Sequence, residues 1–429
     1  MLTTIALLAV ALVSLTAPAL GADFNASDEA SLNTAITGVN GAGADTHTIT
    51  ITADINLSAS TPQLNNSAAT EIIINGNGFT VDGQDISGVR PFEIAADTTV
   101  AINALTISGG GNPVGGGGGI NNLGTLTLSN STVSGNSATF GGGIYNISVD
   151  STVTLSNSTV SGNSADNGGG IFNINGTVIL SNSTVSGNSA SFSGGGINNL
   201  GTLTLSNSII ADQTSGADCV NIGSGSSITS NGYNLDSDGT CSLSGTGDIS
   251  NGMADLQPLA LNAPGTTATH ALGVNSDALD AIPVVNGSCN DSGITTDQRG
   301  VIRPQGTHCD IGAFEVRVCP SFPVNVATED ELNFAIGCYN ALTVAGSYTI
   351  NMTQDIDLTA STPAINNAIA GVELELDGQG FTVDGQDISD VRPFTIAFGT
   401  VAINDLTISG GNATFGGGID NRGTLTLTN

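Results

Sequence analysis

The chain has 429 residues, of which 6 are basic and 37 acidic, so its net charge is −31. All six basic residues are arginines, at 90, 299, 303, 317, 392 and 422. A polyanion of this kind lacks the clustered cations that nucleic-acid phosphates require, and it is repelled by anionic membranes. Glycine is abundant, at 59 residues, and tryptophan is absent.

Met1 to Ala22 reads as an export signal: Ile5–Leu15 is an apolar run, followed by small residues suited to cleavage. The run is short for a membrane span, so no transmembrane helix is expected once the signal is removed. Upstream of the first coils, Leu32, Ala35 and Ile36 have helical spacing. A short amphipathic helix there would cover the open end of a solenoid, whose edge otherwise invites association.

Between residues 124 and 210 the phrase Leu-Ser-Asn-Ser recurs, at steps of 27, 25 and 25 residues between Leu128, Leu155, Leu180 and Leu205. Gly-Gly-Gly-Ile recurs with it, at Ile120, Ile144, Ile171 and Ile197. A period of this length without helical character marks a solenoid. In Gly124–Asn146, Leu126 and Leu128 alternate with hydroxyl residues as in a half-buried strand. Val133 centres a second short strand and Ile144 begins a third. Three strands and three corners describe a parallel β-helix, with Leu126, Leu128, Val133, Ala138 and Ile144 pointing inward. Asn130, Asn157, Asn182 and Asn207 recur at one corner; at this and the two corners that follow, amide-to-amide bonding from coil to coil would build a ladder. Asn136, Asn163 and Asn188, and Asn146, Asn173 and Asn199, mark two further corners. The outward pairs Thr125/Thr127, Thr152/Thr154 and Thr202/Thr204 would form a flat ladder suited to ice or mineral, interrupted at Ile179; threonine is also an ordinary strand residue.

The six cysteines fit an exported protein. Cys219 and Cys241, Cys289 and Cys309, and Cys319 and Cys338 each bracket a loop-rich stretch, and pairing between neighbours is the simplest connectivity. No Cys-x-x-Cys occurs, and His47, His270 and His308 are scattered, so no metal site is expected. Calcium is conceivable where aspartates project from adjacent coils, but no calcium-binding motif appears and no cofactor is proposed.

A larger repeat overlies the coils. DINLSASTP at 54–62 returns as DIDLTASTP at 355–363, and NGFTVDGQDISGVRPF at 77–92 returns as QGFTVDGQDISDVRPF at 379–394. The second copy has its own helical pattern, Leu332, Ala335 and Ile336, with Thr328 and Glu331 spaced as a capping box. The expected organisation is a signal at 1–22, a β-helix module at 23–315, and the start of a second module at 316–429. The chain stops at Asn429 within a coil phrase, which reads as a fragment of a longer protein.

The SGNSA and GGGIYN elements resemble the repeat of polymorphic outer-membrane proteins, although glycine stands where that repeat has alanine. The stretch 218–315, with SNGYNLDSDGTCSL, THALG, TDQRGVIRPQG and CDIGAFE, resembles the choice-of-anchor Q domain. These resemblances imply an all-β, right-handed parallel β-helix on the bacterial exterior, secreted or held at the cell surface, with glycans or other surface proteins as partners.

Two classes of function follow. One is a non-catalytic adhesin, stalk or matrix scaffold, which the sequence favours. The alternative is an extracellular polysaccharide lyase or glycosidase of the pectate-lyase-like type. It would use carboxylates and a base, for which Asp82, Asp85 and Arg90, and Asp384, Asp387 and Arg392, are the candidates. The competing reading of those residues is a Gly/Asp turn followed by an arginine corner. Arg299 and Arg303 near Asp297 read more naturally as a buried clamp than as catalysts.

Overall fold

A computed structural model describes residues 21–284, 289 and 293–429. The export-signal reading of 1–22 falls almost wholly outside them. The chain divides into two compact units, the second being Arg317–Asn429. Each is a parallel β-helix with one short helix.

In the first unit the coils stack into four parallel sheets of nine, nine, four and six strands. The coil expected to hold three strands holds four: Thr125–Ser129, Thr132–Ser134, Ser137–Phe140 and Ile144–Asn146. We call these the first to fourth faces. The additional strand, Ser137–Phe140, has little apolar alternation and only half buries Ala138, so its hydrophobic pattern does not announce it. Its hydrogen-bonding partners are the equivalent strands Gly111–Gly116 and Ser164–Asn167. Leu126, Leu128, Val133 and Ile144 are buried and stack on Val153, Leu155, Val160 and Ile171 of the next coil. The alternation on the first face thus becomes a continuous apolar column, and each coil buries its neighbour's core.

The helix α1 (Glu29–Asn40) buries Leu32, Ala35, Ile36 and Val39 in the same core as Ile49 and Ile51. Asp28 caps it: its carboxylate accepts from the Ser31 N–H at 2.8 Å, and Ser31 Oγ accepts from the Asp28 N–H at 3.0 Å. Phe24 packs where a side chain on Gly38 would stand, so the helix approaches the first strand closely.

The second unit repeats this construction with α2 (Glu329–Asn340) and sheets of five, three and two strands. Glu29 accepts from Ser58 Oγ and the Ala59 N–H, and Glu329 makes the matching bonds to Thr359 and Ala360. Thr328 caps α2, accepting from the Glu331 N–H at 3.2 Å. The reciprocal half of the expected box differs: Glu331 accepts from the N–H of Ala327, one residue before the cap. Cysteines pair between neighbours: Cys219–Cys241, Cys289–Cys309 and Cys319–Cys338. Among the described residues no helix is long and apolar enough to cross a membrane.

Candidate functional site

The residues nominated for acid–base chemistry all lie at corners of the coils. Asp82 ends a second-face strand and accepts from the Gln84 N–H at 2.8 Å; Asp384 does the same with Gln386 at 2.7 Å. Asp85 and Asp387 follow with φ of 55° in both units, exposed on the turn itself. Arg90 donates to the carbonyls of Gly116 and Gly117 at 2.8 Å each and pairs with Glu93 at 2.5 Å. Arg392 donates to the carbonyls of Phe415 and Gly416 at 2.5 and 2.8 Å and to Thr395 Oγ1 at 3.2 Å. Both guanidiniums therefore close the glycine-rich corner of the following coil. The aspartates turn the chain out of the second face and the arginines close the corner before the fourth, and in both units one oxygen of Asp82 or Asp384 and the guanidinium of Arg90 or Arg392 are bonded to backbone groups.

Asparagine ladders run at two of the three corners where asparagine recurs, and not at the Asn130 corner. Asn130, Asn157, Asn182 and Asn207 adopt φ between 46° and 50° and turn the chain from the first face to the second. The side chain of Asn157 donates to the Thr296 carbonyl at 2.8 Å rather than to an equivalent amide. Amide-to-amide bonding instead follows the other two corners. Asn136, Asn163, Asn188 and Gln213 are linked at 2.9, 3.0 and 3.2 Å. Asn122, Asn146, Asn173, Asn199 and Asn221 are linked at 2.8, 2.9, 2.7 and 2.8 Å. The distinction is geometric. At the first corner asparagine is chosen for its left-handed backbone. At the other two its amide points inward, where a buried polar group needs a partner.

Residues 253–284 and 293–316 do not simply close the last coil. They fold back along the outside of the second face. Thr267 Oγ1 donates to the Asn130 carbonyl at 2.8 Å, and Thr132 Oγ1 donates to the Ala268 carbonyl at 2.7 Å. Gln298 accepts from Thr159 Oγ1 at 2.7 Å and donates to Thr132 Oγ1 at 3.0 Å. His270 Nε2 lies 2.8 Å from Ser161 Oγ, and Thr184 Oγ1 accepts from the Ala313 N–H at 3.1 Å. Thr132, Thr159, Ser161 and Thr184 point away from the core and are nevertheless buried. Sequence reading missed this interface. Its one signal is the repeated Ser-Thr-Val-Ser phrase, which is equally a plain strand.

The folded-back segment is held by buried ion pairs of Arg299 and Arg303, which clamp this segment and not the terminal coil. Arg299 pairs with Asp297 at 2.7 Å, donates to the Ala263 carbonyl and lies over the Phe314 ring at 3.5 Å. Arg303 pairs with Glu315 at 3.0 Å and donates to the carbonyls of Asp310 and Gly312. Burial pushes Glu315 up to about 7, against the opposing pull of Arg303. Burial likewise raises Asp310 and Asp218, the latter to about 6, and lowers His270. Among the described residues no group of three or more His, Cys, Asp or Glu side chains is placed to hold a metal ion. No family model matches the chain, and no curated protein or solved structure matches it either.

Proposed function

We propose that this protein is a non-catalytic, exported β-helix scaffold of the adhesin, stalk or matrix type, acting at the cell surface through glycans or other surface proteins. The observation that carries this reading is the duplicated use of the candidate acid–base residues. Arg90 and Arg392, and Asp82 and Asp384, make the same corner bonds in two units whose surroundings differ. A group kept for chemistry needs polar atoms facing a substrate; both guanidiniums and one oxygen each of Asp82 and Asp384 are instead bonded to backbone groups. Three disulfides support an oxidising compartment outside the cytoplasm. The test is incubation with a panel of acidic and neutral polysaccharides, following unsaturated products by ultraviolet absorbance and new reducing ends by colorimetry. No turnover is expected, together with retention on a glycan or cell-surface array. Turnover abolished by Arg90→Ala would establish the lyase or glycosidase reading instead.

A further inference from the structure

The first face of the first unit remains open where the second is covered. Its strands from Thr99–Asn103 to Ser227–Ser230 stay in register, whereas the register of the third face shifts at two of its pairings. Thr99, Thr125, Thr152, Thr177 and Thr202 form one outward rank. Two residues along each strand, Thr127, Thr154, Thr204 and Thr229 form a second, with Ile179 in the line. These threonines are half-buried or exposed, and among the described residues no group hydrogen-bonds to their hydroxyls. A further observation is independent of the threonines themselves. Between Thr99 and Ser230, no strand of this sheet carries a charged residue, although the chain has a net charge of −31. Charge on the same sheet is confined to the helix-capped end, at Asp23 and Glu71.

The geometry is that of a two-dimensional lattice. Coils repeat at about 4.8 Å and alternate residues of a strand at about 6.6 Å. β-Branched side chains have restricted χ1 angles, so methyl and hydroxyl groups keep fixed places, and Ile179 preserves the branched shape where it interrupts the hydroxyls. A rigid, neutral array of methyls and hydroxyls has nothing to offer a charged mineral or a polyanion. It complements a neutral lattice with its own short repeat, and water in crystalline form has donors and acceptors for the hydroxyls and cages for the methyls. We propose that this face binds ice, with the two threonine ranks as the contact surface.

The experiment is ice-affinity partitioning of the full chain mixed with a bystander protein of similar size and acidity, together with thermal hysteresis. The chain is expected to be incorporated into a slowly grown ice shell several-fold over the bystander and to depress the freezing point below the melting point. Thr154→Lys, at the centre of the second rank, is expected to reduce incorporation several-fold while leaving circular dichroism and the urea midpoint unchanged. Thr154→Val keeps the shape without the hydroxyl and guards against a folding defect in the lysine variant; it is expected to retain most of the incorporation. Exclusion from ice equal to the bystander's would overturn the proposal, and so would full incorporation of a folded Thr154→Lys. Retention on crystalline cellulose or chitin without incorporation into ice would also overturn it, assigning the face to a neutral polysaccharide.

Discussion

Asn163 and Asn182 are the same residue type in the same kind of repeat, yet they do different work. Asn163 is fully buried, donates to the amide of Asn188 and accepts from that of Asn136. Asn163→Ala would leave the buried Asn136 backbone N–H without its acceptor and is expected to cost about 1–3 kcal/mol, the cost of one unsatisfied buried polar group. Asn182 has φ of 46° and neither amide atom of its side chain has a partner. Asn182→Gly keeps the left-handed conformation and is expected to change stability by no more than about 1 kcal/mol. Urea unfolding of the two variants checks the contrast; equal losses would mean that amide bonding matters at both corners. A one-dimensional repeat shows that these positions recur but not which way the side chain points, so of three corners where a ladder is expected only two carry one.

At the scale of elements, the folded-back segment couples its docking to pH. Glu315 sits at about 7 in the folded chain against an ordinary 4.5, so the folded state holds this proton more tightly than the unfolded state does. Stability from this group is present at low pH and is lost as pH rises from about 4.5 through 7. Asp218 and Asp310 are raised by burial and act in the same direction. His270, lowered by burial, acts oppositely below its ordinary 6.5, so the informative window lies above it. Between about pH 6.5 and 8, the Glu315 contribution should fall by on the order of 1 kcal/mol. Glu315→Gln should flatten that slope in urea titrations, and an unchanged slope would exclude Glu315 as its source. Arg303→Met leaves Glu315 buried beside Asp310 without its cation and is expected to cost about 3–5 kcal/mol.

The whole molecule consists of two units with separate cores, one around Ile49, Leu126 and Leu155 and the other around Ile350, Leu374 and Phe394. Because solenoid stability is a sum of coil and nearest-neighbour terms, calorimetry is expected to resolve two transitions. Removing Arg317–Asn429 should delete one of them and leave the other in place; a single transition for the full chain would show that the units unfold together. The sequence by itself determined the coil, its inward leucines and isoleucines and the two capping helices, and it made neighbour pairing of the cysteines the simplest of several connectivities. All of these are written in local periodicity or in short loops, where each copy repeats the evidence of the last. Only the tertiary structure decided that Ser137–Phe140 is a strand, that the ladders follow Asn136 and Asn146, and that Thr132 lies under Ala268 while Thr125 faces solvent. Thr125 and Thr132 belong to the same repeat and have the same chemistry. What separates them is a contact to a segment 136 residues away, made by hydroxyl complementarity that leaves no local hydrophobic pattern.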